Sequence, residues 1–305
     1  MKYLIVGAGG TGGAIAAYLA KAGKDVAVIA RGAHLSAINQ KGLTLKPIGG
    51  QAYPVTLPAF STAEYHQKPD SIFLCVKGYS LDDALIAFLK RVCHIGTIII
   101  PILNIYGTGG RLQPFFPDNL VTDGCIYIAA FIESPGVIAM ERDIFTVVFG
   151  VRNPKDDTPV LDRVKQDLDD AGITANHSKN IQKDTFIKYS YISPSNACGV
   201  YYTVPAGAIR RDGEVRDTFI TLVRELVRLA EAMGITFEED IVRRNLDIVD
   251  SLPPDMTTSM QKDIAAGKPS EIDGLIFEVI RMAEKYDVTL PKYEEIITTL
   301  YAEKR

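Results

Sequence analysis

Short, largely apolar runs at residues 3–6, 25–29, 71–76 and 97–101 alternate with stretches of helical spacing in the first half of the chain. Continuous apolar runs predict strands of a parallel sheet covered on both faces. Residues 13–22, with Ile15, Leu19 and several alanines, predict a helix that stops at Gly23. Strands alternating with helices predict a doubly wound α/β fold. Residues 126–150 break the alternation. Apolar stretches at 137–140 and 146–150 flank polar residues, so a hairpin is expected to add antiparallel strands at one edge of the sheet. Residues 159–171 predict a further helix.

From about residue 180 the strand pattern disappears. Phe219, Leu222, Val223, Leu226 and Ala230 recur at helical spacing, as do Ile272, Leu275, Ile276, Val279, Ile280 and Ala283. Tyr293, Ile296, Ile297 and Leu300 mark a last helix. The expected architecture is a Rossmann-type doubly wound domain over 1–178 followed by an all-helical domain over 179–305, with the boundary in the polar stretch 176–183. A length of 305 residues fits two domains.

The G-A-G-G-T-G-G string places Gly7, Gly9 and Gly12 in a G-x-G-x-x-G pattern, after a predicted strand and at the opening of a helix. That context suits a dinucleotide. Gly7 allows the tight turn, Gly9 lets backbone approach a pyrophosphate, and Gly12 lets helix pack on strand. The amides of Ala8, Gly10 and Thr11 complete the loop and the first helical turn, where backbone N–H groups and the helix dipole favour phosphate. Arg31 stands nineteen residues after Gly12, where an NAD site carries an acid for the ribose 2′-hydroxyl. A guanidinium there matches a phosphate bidentately, so NADP(H) is the expected cofactor; the plainer alternative is a surface arginine.

Lys77 and Asn104 also follow predicted strand ends, on the edge where open α/β sheets bind ligands. Taken singly, each reads equally as a solvated loop residue. In the second half, Lys188 and Asn196 are eight residues apart and share a helix face, unless Pro194 disturbs it. Ser259 and Glu271 flank a helix stop at Gly267 and a break at Pro269, and both have plain readings as residues near helix starts.

Composition narrows the function. Thirty-three basic against 37 acidic residues give a formal net charge of −4, which argues against nucleic acid. No apolar stretch is long enough to span a membrane, and the run after Lys2 is too short for a signal-peptide core. Cys75, Cys93, Cys125 and Cys198 are scattered without metal spacing, so they are expected to be reduced thiols in a cytoplasmic protein with no metal site. The expected partner is a small-molecule substrate; a homodimer is compatible with the sequence.

The chain resembles the ketopantoate reductases (2-dehydropantoate 2-reductases) nearly end to end. The resemblance rests on G-A-G-G-T-G-G, A-R-G-A-H-L, C-V-K-G-Y, N-I-Y-G, the Lys188 segment and S-M-Q-K-D-I-A-A-G-K-P-S-E-I-D. It implies a Rossmann domain followed by a helical domain similar to that of 6-phosphogluconate dehydrogenase. It also implies reduction of the 2-keto group of ketopantoate by NADPH, on the route to pantothenate and coenzyme A. Lys188 matches the family's catalytic lysine and Glu271 an acid important for catalysis. Lys77 and Asn104 match residues at the junction of cofactor and substrate, and Asn196 and Ser259 match substrate-binding residues. Two positions depart from the family pattern. Ile192 stands where an asparagine touches substrate, and Leu103-Asn104-Ile105 replaces Gln-Asn-Gly. Ile192 leaves open another 2-keto acid as substrate. A non-enzymatic NADP(H) sensor is the alternative from a different class, and such a protein would not need an acid beside the substrate.

Overall fold

The structure, a computed structural model, describes residues 1–302. Contacts divide them into two units, Met1–Leu103 with Gly107–Ile181, and Asn104–Tyr106 with the chain from Gln182 onward. The first unit contains β1 (Lys2–Val6), α1 (Gly10–Lys21), β2 (Asp25–Ile29), α2 (Gly32–Lys41), β3 (Leu43–Lys46), β4 (Tyr53–Val55), β5 (Ala59–Phe60), β6 (Ser71–Leu74), α3 (Asp83–Val92) and β7 (Ile98–Pro101). It continues with α4 (Thr108–Leu112), β8 (Leu120–Val121), β9 (Asp123–Ser134), β10 (Val137–Gly150), α5 (Pro159–Asp170) and β11 (Thr174–His177).

Six strands form a parallel sheet in the order β5-β2-β1-β6-β7-β8. The central strand β1 pairs Tyr3 with Val26 on one side and with Ser71 on the other. The predicted apolar runs are these strands, buried on both faces as a parallel sheet requires.

The hairpin corrects the expectation from sequence. β9 and β10 do not extend the edge of the parallel sheet but build a second one. There β10 pairs antiparallel with β9, and parallel with β3 at its start and with β11 at its end. β4 closes the far side on β3. Fourteen residues make β10 long enough to carry two short strands along one edge and β9 along the other.

Helix α1 touches β1 and β2 of the first sheet and β3, β9 and β10 of the second. It is therefore buried almost all round, from Gly12 to Ala17 and at Leu19. Where the neighbouring strands approach most closely there is no room for large side chains, and glycine or alanine stands at residues 12–14 and 16–17. A Cβ on Gly10 would lie 2.1 Å from the Ala130 carbonyl oxygen, and one on Gly13 would lie 2.7 Å from Ile138 Cγ1.

The second unit is helical: α6 (Ile181–Tyr201), α7 (Ala206–Ile209), α8 (Glu214–Ala232), α9 (Ile241–Ser251), α10 (Ser259–Ala265), a π-helical turn (Asp273–Phe277), α11 (Glu278–Lys285) and α12 (Pro291–Ala302). The apolar stripes predicted along α8 and α11 meet in one core with Phe186, Tyr189 and Tyr293. Glu225 of α8 is buried in that core, where its carboxylate accepts the Lys292 and Tyr293 amides at 2.9 and 3.1 Å. It thereby supplies acceptors to the first turn of α12, which that helix cannot provide itself. Burial pushes the Glu225 carboxyl above its ordinary range.

Gly10→Ala should lower stability by about 1–3 kcal/mol, since the contact it creates is with backbone. Gly9→Ala, whose Cβ meets open space at φ −70, should leave the urea midpoint unchanged or slightly raised. Urea unfolding of the two variants checks the contrast.

Candidate functional site

In the first unit the glycine loop, Arg31 and Lys77 are drawn to the carboxyl ends of neighbouring strands. The Gly7 and Ala8 amides both donate to the Ile29 carbonyl, at 3.2 and 3.1 Å, which ties the loop to the end of β2. Gly7 takes φ +100, open to glycine, and a Cβ there would lie 3.0 Å from the Cys75 carbonyl group. The Cys75 amide donates to Val6 at 2.8 Å, so the end of β6 lies beside the same turn. Arg31, exposed, is the residue preceding α2, two positions beyond the end of β2. Lys77, partly buried, precedes the short 3-10 turn Gly78–Ser80 after β6. His34 anchors the Arg31 segment from below. Its Nδ1 accepts the Gly136 amide at 3.0 Å, which places its ring proton on Nε2, and burial lowers its pKa.

Helix α1 has no side-chain cap and no acid in its first turn. Its leading amides are thus the unsatisfied donors of a helix start, with positive dipole and open space at Gly9. These features fit the pyrophosphate of a dinucleotide. Gly10, Thr11 and Gly12 supply the first turn, with Gly12 fixed by close packing: a Cβ there would lie 2.2 Å from the Gly7 carbonyl oxygen.

In the second unit, Lys188 on α6 is buried, and its Nζ donates to Asn104 Oδ1 at 2.7 Å. Asn104 is held there by its neighbours. Ile105 fills the space that Gly274 leaves, where a Cβ would lie 2.3 Å from Ile105 Cδ1. The Tyr106 ring packs edge-on to Phe186 with centroids 5.0 Å apart. Tyr189, next to Lys188 in sequence, donates its hydroxyl to the Gly274 carbonyl at 3.1 Å, with the Leu275 carbonyl at 3.4 Å. Those carbonyls belong to the π-helical turn, a form that recurs at functional sites. Glu271, buried, stands just before that turn, its own carbonyl accepting from the Leu275 amide at 2.9 Å.

Asn196 lies on the same helix as Lys188, and α6 runs unbroken through Pro194. Asn196 is buried; its Nδ2 donates to the Ile192 carbonyl at 2.8 Å, while its buried Oδ1 has no partner among the described residues. An unpaired buried carbonyl is costly, and a ligand hydroxyl would satisfy it. Ser259 stands exposed at the first position of α10, after Thr258, which forms a capping box with Gln261. The structure therefore brings Asn104 onto Lys188, keeps Glu271 and Asn196 buried, and leaves Ser259 at the surface. Among the described residues no His, Cys, Asp and Glu cluster could hold a metal, and no helix is long and apolar enough to cross a membrane.

Sequence reasoning did not single out Tyr189, Gly274 or Tyr106 as supports of the lysine. Tyr189 carries a tertiary hydrogen bond that no spacing reveals, and the π turn has no periodicity of its own to read.

Comparison with known proteins places the two units in sequence families. The family model described as ketopantoate reductase PanE/ApbA matches residues 3–154, and its C-terminal companion matches residues 180–304. An uncharacterized oxidoreductase YkpB of Bacillus subtilis is 27% identical over 98% of both chains. The 2-dehydropantoate 2-reductase of Pyrococcus abyssi is 29% identical over 95% of this chain and 94% of its own. A D-mandelate dehydrogenase solved with NADH and anilino(oxo)acetate shares the fold at TM-score 0.89 and 21% identity, over 99% of this chain and 98% of that one.

Gly9→Ala places a methyl group where a phosphate would approach the loop. Dinucleotide binding should weaken about tenfold or more, with the fold retained. Fluorescence titration with NADPH beside a urea midpoint separates the two effects; unchanged affinity would remove Gly9 from the cofactor site.

Proposed function

The chain belongs to the ketopantoate reductase family, and from that premise we propose that it is an NADPH-dependent 2-dehydropantoate 2-reductase. The observation that carries this reading is the buried Lys188 ammonium directed by Asn104 Oδ1 at 2.7 Å. When bound, the nicotinamide cofactor supplies the hydride that goes to C2 of the keto acid. The ketone oxygen then gathers negative charge and needs a proton. Lys188 gives it one, and before the transfer its ammonium stabilises the developing alkoxide. Asn104 accepts one of the three lysine N–H bonds and so fixes the direction of the head group. Glu271 orients the substrate or the lysine, and Ser259 donates a hydrogen bond to the substrate carboxylate. Asn196 Oδ1, buried without a partner, accepts the C4 hydroxyl of 2-dehydropantoate. Arg31 reads the 2′-phosphate of NADPH from the end of β2, and Lys77 adds a second positive charge on that edge.

Ile192 favours a second reading, reduction of another, less polar 2-keto acid. It lies one helical turn beyond Lys188, partly buried, and offers packing surface where the family presents an amide. A protein of the same fold is a D-mandelate dehydrogenase solved with NADH and anilino(oxo)acetate, and a shared fold does not fix the substrate. Assaying 2-dehydropantoate beside bulkier 2-keto acids at 340 nm separates the two readings.

Lys188→Ala should lower kcat about 10²–10⁴-fold while the NADPH dissociation constant stays within a few-fold. Lys188→Arg should restore little, because a guanidinium holds its proton. Near-normal turnover in Lys188→Ala would remove this lysine from the mechanism.

Arg31→Ala should weaken NADPH binding about ten- to a hundred-and-fifty-fold, the worth of one charge-assisted hydrogen bond. NADH binding should hardly change. Equal losses for the two cofactors in parallel titrations would show that Arg31 does not read the 2′-phosphate.

A further inference from the structure

Helix α6 carries Lys188 and Asn196 on either side of Pro194. Proline has no N–H, so the Ser190 carbonyl, four residues earlier, lacks its helical donor, and the ring crowds that same carbonyl. Ser190 is fully buried, so water does not make up the loss. The missing bond comes from another helix. Asn245 of α9, fully buried, donates its Nδ2 to the Ser190 carbonyl at 3.0 Å, with Ser190 Oγ 3.1 Å away. Ser190 Oγ in turn donates to the Ile187 carbonyl at 2.7 Å. A carbonyl partner fixes the amide orientation, since only the nitrogen can donate to it.

Asn245 interrupts an otherwise apolar stripe, with Ile241 and Val249 one turn away on each side. A polar residue in that position costs desolvation unless it meets a specific need, and its Oδ1 has no partner among the described residues. The need is the acceptor that Pro194 leaves. From beyond the proline, Ser195 Oγ and Asn196 Nδ2 donate back to the Ile192 carbonyl at 3.0 and 2.8 Å. The backbone between the lysine and Asn196 is thus held by side chains as well as by its own amides.

We infer that Asn245 is a positioning residue: by bonding the Ser190 carbonyl that Pro194 leaves without a donor, it sets the course of α6 between Lys188 and Asn196. One residue separates Ser190 from Lys188, and one separates Pro194 from Asn196, so a change of course there alters the spacing of the two groups. The inference rests on the proposed roles of Lys188 as proton donor and Asn196 as substrate contact.

The experiment compares Asn245→Ala, Pro194→Ala and the double variant by urea unfolding, NADPH titration and steady-state turnover. Asn245→Ala should lower the urea midpoint and reduce kcat on the order of ten- to a hundredfold, the cost of a misplacement of about 1 Å, with NADPH affinity unchanged. Pro194→Ala restores a backbone donor to Ser190. It should keep or raise the midpoint, yet lower kcat, a split that a purely structural role would not produce. In the Pro194→Ala background the midpoint loss from Asn245→Ala should shrink, because the two changes act on one acceptor. If Asn245→Ala does not fold, Pro194→Ala alone still decides the positioning role. Wild-type kcat and KM in Pro194→Ala would overturn it, as would equal midpoint losses from Asn245→Ala in the two backgrounds. A wild type that reduces no 2-keto acid would tell against the proposed function, while the midpoint comparison still decides whether Asn245 serves the carbonyl.

Discussion

Hydrogen bonds between buried polar groups along α6 hold the helical unit's candidate site together. Lys188 brings its amino group to a buried position, where a polar group without a hydrogen-bond partner is costly. Asn104 meets it at 2.7 Å. Asn104 arrives there on a three-residue segment whose Ile105 needs the absence of a side chain at Gly274. Tyr189 then spends its hydroxyl on the carbonyls of the π turn that follows Glu271. These contacts join the lysine, the asparagine and the turn that follows the acid in one connected set rather than separate ones.

The dinucleotide half obeys a steric constraint instead. α1 packs against strands of both sheets, and at Gly10, Gly12 and Gly13 the neighbours come too close for a Cβ. The same glycines leave the helix start bare toward a ligand, with open space at Gly9 and close packing at Gly10 and Gly12. The motif thus combines close packing on one side of the loop with open space on the other, the combination that suits a phosphate.

How much of this is legible in the chain depends on the range of the interaction. β1, α1 and β2 were legible because apolar runs and the glycine pattern are local, and burial on both faces leaves a clear composition. The second sheet was not, because β10 finds β3 some ninety residues back in sequence, at pairs such as Ile138 with Leu45. The helical stripes of α8 and α11 were legible from their period. Asn245 was not, since a polar residue on an amphipathic helix reads as solvated until its partner is known. The contact of Lys188 with Asn104 spans 84 positions. Spacing alone left both residues ambiguous, and the family resemblance gave them roles. Ile192, the position that opens the second reading of the substrate, belongs to no periodic pattern that spacing could single out.

The central claim is that Lys188 provides the proton as hydride reaches the keto carbon. Chemical rescue addresses it most directly. In single-turnover reactions of Lys188→Ala with NADPH and 2-dehydropantoate, added methylammonium replaces the missing head group. The account predicts a slow basal rate that rises with methylammonium and saturates, and that rises less with ammonium ions too bulky for the vacated space. A Lys188→Ala rate equal to that of the wild type, unaffected by any added amine, would contradict it.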